Sequence, residues 1–320
     1  MPERTLRALV RRSGVNTRRV VLPTEGEAGL RELLQSEAPR GPGTARRMQL
    51  FAQHAPPLAE AAAREALLEA RVHAGAITHL VCVSCTGFVA PGLDHALSTA
   101  LALSPDVQRT QVGFMGCHGA LNGLRVAQAF AEQNARHRVL LVAVELCSLH
   151  VQTDPDNAQL VSNLLFGDGA AAVLLASEGN GPRHVGGASH LLPDSAELMS
   201  WRIGDAGFEM GLSAEVPAVL RATLRPWVDA QLAAHALTRN DVGAWAVHPG
   251  GPRILDAVEQ ALELPRRALA ASRELLATRG NMSSPTVLML LRGFAAADTP
   301  RPWVVLAFGP GLSAELALLT

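Results

Sequence analysis

The chain has 320 residues, 48% of them hydrophobic, and a formal net charge of −1. That composition can bury a large core, as one big domain or two fused halves, and it leaves no basic surplus for nucleic acid or an anionic membrane. All 28 basic residues are Arg, which excludes pyridoxal enzymes, Lys-dependent aldolases and Walker-type phosphate loops.

The first twelve residues carry charge throughout and contain no secretory apolar region. Later apolar runs are too short and too often interrupted by charge or Gly to span a bilayer. The expected location is the cytoplasm. Cys82, Cys85, Cys117 and Cys147 are then read as reduced thiols. Cys82 and Cys85 form a single C-x-x-C without the second pair that a zinc site needs, so no metal or other cofactor is expected.

Taken in chain order, apolar and β-branched runs predict a strand at 19–22, then helical spacing at 58–73, a strand at 79–83 and a helix at 93–103. A strand-like segment at 110–115 leads to a helix at 120–133, followed by strands at 139–144 and 170–175. The second half repeats the alternation: helix 216–234, strand 244–247, helices 253–262 and 284–295, and strand 303–308. Alternation of this kind predicts an α/β fold.

The parts also echo one another. Phe166-Gly-Asp-Gly-Ala-Ala-Ala-Val-Leu-Leu resembles Phe308-Gly-Pro-Gly-Leu-Ser-Ala-Glu-Leu-Ala, each read as following one strand and leading into another. Gly113-Phe-Met-Gly-Cys resembles Gly280-Asn-Met-Ser-Ser, each opening a helix. A strand, a Pro-Gly or Gly-Pro turn and a helix occur at 79–103 and again at 244–262, and three such matches in the same order predict two similar fused halves, 1–182 and 183–320. Equivalent loops then face one another across a pseudo-twofold axis.

Three residues on those loops stand out. Cys117 lies between a strand and a helix N-terminus, where unpaired N–H groups favour a thiolate; a small buried core residue is the equal alternative. His248 ends the 244–247 strand, before a Pro-Gly-Gly-Pro turn. Asn281 reads on its own as a helix cap. Together they suit thioester chemistry. A Cys–His pair gives a nucleophile, and His with Asn can donate to one thioester oxygen as it gains charge.

These segments resemble the type III polyketide synthases, the chalcone-synthase-like branch of the thiolase superfamily. Phe114-Met-Gly-Cys-His-Gly-Ala is similar to the nucleophile loop, Ala246-Val-His-Pro-Gly-Gly-Pro-Arg-Ile-Leu to the His segment, and Gly280-Asn-Met-Ser-Ser to the Asn segment. Phe308-Gly-Pro-Gly311 is similar to the loop that shapes the cavity floor. The resemblance implies a duplicated five-layer αβαβα fold and a homodimer. It implies decarboxylative condensation of malonyl-CoA onto an acyl-CoA starter, then cyclisation to a pyrone, resorcinol or polyhydroxylated aromatic. Cys117 is implied as nucleophile, with His248 keeping the thiolate and joining Asn281 at the malonyl thioester.

The resemblance also implies that Phe166 and Met210 gate the cavity. Cys85, Cys147, His150, Trp201 and Ser283 fall near its walls, and Phe308, Gly309 and Gly311 form its floor. Trp201 replaces a small residue and should shrink or redirect the cavity. Arg12 fits one position of the coenzyme A phosphate site, and Arg4, Arg7 and Arg11 compete for the others with a solvated helix face. Ala90 stands where the plant enzymes insert a Met across the dimer. Met1 aligns within the helix after the family's first strand, so a truncated N-terminal half is one expectation and a misassigned start the other. Two further readings remain open: a ketoacyl-ACP synthase III-like enzyme and a silent acyl-thioester-binding homologue.

Overall fold

The computed structural model describes residues 3–23, 33–34, 38, 40–153 and 156–320. Helix α1 (Glu3–Ser13) and the long α2 (Thr44–Ala70) precede a first sheet of β1 (His79–Ser84), β2 (Gln108–Gly113), β3 (Val139–Leu146) and β4 (Asp168–Leu175). Its order is β2-β1-β3-β4, with only β4 antiparallel. Helices α3 (Leu93–Ala100), α4 (Gly119–Gln133) and α5 (Asn157–Leu165) lie between these strands in sequence.

The second half starts with β5 (His184–Leu191), the hairpin β6 (Met199–Gly204)–β7 (Gly207–Leu212) and α6 (Val216–Ala233). It continues through β8 (Ala244–Val247), α7 (Pro252–Leu262), α8 (Ala270–Arg279), α9 (Pro285–Ala296), β9 (Trp303–Gly309) and β10 (Ser313–Leu319). The second sheet has the order β5-β10-β9-β8, with β8 and β9 parallel.

Side-chain alternation stacks these sheets into five layers. Leu80 and Cys82 of β1, with Leu140, Val142 and Val144 of β3, face Leu50, Phe51, Ala55 and Leu67 of α2. The intervening Val81, Val83, Leu141 and Ala143 face the other way, onto Ala120, Leu124 and Ala127 of α4 and Val287 and Leu290 of α9. The same central layer receives Ala246 of β8 and Val305 and Ala307 of β9. Val247, Val304 and Leu306 point outward to Leu220, Leu224 and Val228 of α6 and Leu255 and Val258 of α7. Both sheets are covered on both faces, so their inner strands read as continuous apolar runs rather than alternating ones. This is the α/β/α/β/α arrangement expected.

Most predicted elements agree within one to three residues. Three do not. The segment 19–22 is an irregular loop rather than a strand. The Val21 N–H donates to the Asp168 carboxylate, and the Arg19 carbonyl accepts from the Asp168 N–H, so the segment is tied to the start of β4 by two bonds rather than by a ladder. Helix α2 starts at Thr44, not 58, and runs through Pro56 and Pro57. Each Pro removes one N–H donor, but Leu50, Phe51 and Ala55 continue the stripe of Ala59, Ala63 and Leu67 into the core, and that burial outweighs the lost bonds. Phe166 follows a helix, α5, whose N-terminus is capped by the Asp156 side chain, so the first half of the predicted echo does not begin on a strand.

Candidate active site

Cys117 occupies one 3₁₀ turn, Gly116–His118, between β2 and α4. The turn needs Gly116: its φ is +73°, and a Cβ there would stand 2.4 Å from Pro310 Cδ. Gly119 and Gly123 let α4 lie close on Val83 of β1. The Gly116 N–H donates to Cys85 Sγ at 3.0 Å, which ties the turn to the end of β1.

The loop before α9 supplies Asn281 and Ser283. The Asn281 N–H donates to the Leu165 carbonyl at 2.8 Å, and its carbonyl accepts from the Gly167 N–H at 2.9 Å. A residue of the second half is therefore fixed beside Phe166 of the first. Its Oδ1 accepts from the Ser283 N–H at 2.8 Å, leaving the amide nitrogen to donate. The Asn281 and Ser283 side chains stand near enough to the Cys117 sulfur to draw its pKa down. Asn281 is not a helix cap, because α9 begins only at Pro285 after Ser284. Ser283 holds a left-handed φ of +56°, an uncommon conformation for a non-glycine residue that aims its side chain.

His248 follows β8 and is fixed by its N–H, which donates to the Leu306 carbonyl at 2.7 Å. It is buried, and neither ring nitrogen has a hydrogen-bond partner, so it does not bond Cys117. Burial pushes its pKa down to about 3, aided by the nearby His118. Burial pushes the Cys117 thiol up to about 12; the Ser283 bond pulls it down, Glu145 pushes it up and the Asn281 bond pulls it down. Burial thus disfavours both charged forms, the thiolate and the imidazolium.

A pocket of roughly 450 Å³ of empty space, mouth included, opens beside the sulfur. Cys85, Cys117, Cys147, Phe166, Trp201, Met210 and Ser283 line it, while His248 and Asn281 are not among its lining residues. Trp201 is held on two sides. Its Nε1–H donates to the Cys85 carbonyl at 2.8 Å, and its ring meets His150 and Phe208 edge-on, at 5.5 and 5.8 Å.

Other expected residues lie elsewhere. His150 stands behind the wall, stacked on Phe208 at 4.2 Å, with Nδ1 accepting from the Phe208 N–H at 3.0 Å and Nε2 at 2.8 Å from the Thr86 carbonyl. Phe308 belongs to the core of the second half. Gly309 packs on His118, and Gly311 takes a left-handed φ of +114°. Of that loop it is Pro310 that lines the pocket. Arg12 is exposed on the last turn of α1 and is not among the lining residues.

Sequence reasoning missed Glu145. It is fully buried on β3 and joins the two halves. One oxygen accepts from the Cys85 N–H at 2.9 Å and the Thr86 hydroxyl at 2.8 Å, and the other from the Ser284 hydroxyl at 2.6 Å. The signal was a lone carboxylate inside an otherwise apolar strand. Burial raises its pKa from 4.5 to about 7 against the pull of these bonds.

A raised carboxyl pKa stabilises the fold below its unfolded value, and that contribution is lost as pH rises through the folded one. Wild-type stability should therefore fall by roughly 3 kcal/mol on this account between about pH 4.5 and just above 7. Urea unfolding at pH 5 and pH 8 checks this. Glu145→Gln should flatten the difference, and a variant that keeps the full wild-type pH dependence refutes the assignment.

Comparison with known proteins agrees with this geometry. Residues 3–179 match the model of the N-terminal domain of chalcone and stilbene synthases, and residues 185–320 match that of the C-terminal domain. The chain is 40% identical to 1,3,6,8-tetrahydroxynaphthalene synthase of Streptomyces peucetius subsp. caesius, over 98% of this chain and 84% of the relative. It is 34% identical to an alpha-pyrone synthesis polyketide synthase-like protein of Mycobacterium tuberculosis, over 86% and 73%. The crystal structure of 1,3,6,8-tetrahydroxynaphthalene synthase from Streptomyces coelicolor A3(2) superposes with a TM-score of 0.89 at 30% identity, covering 99% of this chain and 89% of that one. With both domain models matched across the paired sheets and the shared pocket, the chain belongs to the chalcone and stilbene synthase family and is a type III polyketide synthase, an acyltransferase that works by decarboxylating condensation.

Proposed function

We propose that the enzyme takes a small acyl starter from coenzyme A onto Cys117, extends it with malonyl-CoA and closes the chain to a polyhydroxylated aromatic. The supporting observation is the Cys117 sulfur in a pocket that Ser283 and Trp201 also line, with the polar side chains of Ser283 and Asn281 acting on it.

In this reading the thiol proton passes to neutral His248 as sulfur attacks the starter thioester, and the departing coenzyme A thiolate takes that proton. His248 N–H and Asn281 Nδ2 then donate to the malonyl thioester oxygen. The malonyl C–C bond breaks, carbon dioxide leaves and the electron pair moves onto that oxygen, where the two donors stabilise it. The enolate carbon attacks the acyl-Cys carbonyl, a C–C bond forms and the Cys117 thiolate is released. A neutral amide suits this step, because a carboxylate would repel the enolate.

The relative's named product carries oxygens at alternate positions of a ten-carbon skeleton, the pattern left by joining two-carbon units. A rigid Trp201 favours a short starter of the same kind. Mass spectrometry of products from malonyl-CoA alone and with a panel of acyl-CoA starters tests the proposal. An aromatic from malonyl-CoA alone is expected, and Trp201→Ala should shift output to longer chains. Pyrones only, or an unchanged chain length in the variant, would remove the product assignment. The proposed assembly is a homodimer, which sedimentation of a monomer would exclude.

A further inference from the structure

His118, next to the reactive cysteine, has an environment built for hydrogen bonding rather than for filling space. It is 2% exposed. Its Nδ1 lies 2.7 Å from Asn122 Oδ1, and its Nε2 lies 2.7 Å from Ser313 Oγ. Asn122 Nδ2 donates in turn to Glu315 at 3.1 Å. Ser189 also donates to Glu315, at 2.6 Å, and Arg125 pairs with it. A carboxylate only accepts, so the Asn122 amide must present its oxygen to His118. Nδ1 must then carry a proton.

The other side of the ring reaches the floor loop. Ser313 Oγ sits between His118 Nε2 and the Pro310 carbonyl, 2.9 Å away. A Cβ on Gly309 would stand 2.4 Å from His118 Cδ2, so the imidazole packs directly against that loop. Pro310, at its centre, touches Gly116 and lines the pocket. One ring thus joins α4, the Gly116–His118 turn and β10. The charged and titratable groups around it are Glu315 of β10, Arg125 of α4, His248 beside β8 and Cys117 on the same turn.

We infer that His118 is a positioning residue for the condensation: it locks the turn carrying Cys117 to the Phe308–Gly311 loop, and so sets the place of the sulfur and the closure of the pocket floor together. The inference rests on Cys117 as the nucleophile. Misplacing a reacting atom by about 1 Å costs about 10²-fold in rate, so losing the lock should appear in kcat rather than KM.

The test compares His118→Phe, His118→Gln and Ser313→Ala. Phe fills the space and makes neither bond; Gln can still reach Ser313. His118→Phe should lower kcat about 10- to 100-fold, leave KM for malonyl-CoA within about threefold, and release more prematurely cyclised product. His118→Gln should recover most of the rate, and Ser313→Ala should give the same change in smaller measure. Wild-type kcat and product pattern in His118→Phe overturn the inference. If His118→Phe does not fold, Ser313→Ala decides: unchanged kcat and products there overturn it too. Intact mass separates the two levels, since a wild type with no acyl adduct on Cys117 sinks the nucleophile reading itself.

Discussion

Cys117→Ala is expected to abolish the acyl adduct and to lower product formation by at least about 10³-fold, while leaving the fold intact. Among the described thiols at the pocket, Cys117 is the one whose pKa the Ser283 and Asn281 side chains draw down. Cys85 and Cys147 also line the pocket, but burial pushes both thiols well up. Glu145 raises both further, and for Cys85 the Gly116 N–H only partly offsets this. Neither has the Asn281 and Ser283 donors that favour a thiolate at Cys117. Starter loading is read by intact mass after incubation with labelled acyl-CoA. A full-stoichiometry adduct on the Ala variant would move the attachment site to another thiol. The same chemistry predicts that alkylation of wild-type Cys117 keeps rising with pH through the alkaline range, because the resting thiol is raised to about 12.

Asn281→Ala should depress malonyl-CoA decarboxylation by about 10²- to 10³-fold and starter loading much less. In the proposed mechanism the amide donates to the place where charge accumulates in the enolate. Loading also passes through an oxyanion, but Ser283 remains to hold the sulfur and His248 to receive its proton. Release of labelled carbon dioxide measures the first step and intact mass the second. Equal losses in both would mean that the residue acts through the local backbone, where its Oδ1 also holds the Ser283 N–H. Asn281→Gln, with a longer amide but the same donor, helps to separate the two.

How much of this was legible in one dimension follows from which interactions are local. Strands 244–247 and 139–144 were readable because both faces of each are apolar and their ends carry turns. The start of α2 was not. Pro56-Pro57 is a strong local stop signal, and only packing of Leu50 and Phe51 against β1 and β3 overrides it. The segment 19–22 failed for the opposite reason: its apolar residues looked like a strand, while its hydrogen bonds go to the carboxylate and the N–H of Asp168.

The sequence by itself determined the layered α/β class and the family, and it singled out Cys117, His248 and Asn281 for the proposed mechanism, because short motifs with fixed turn chemistry survive projection onto a line. The tertiary structure decided what each group does at rest. Burial, which no spacing reveals, disfavours the thiolate and the imidazolium. It also brought Glu145 and His118 into the site, since their partners lie 139 and 195 residues away. Contacts across such separations are set by how two sheets stack on a shared helical layer, and nothing in the local pattern records which side chains meet there.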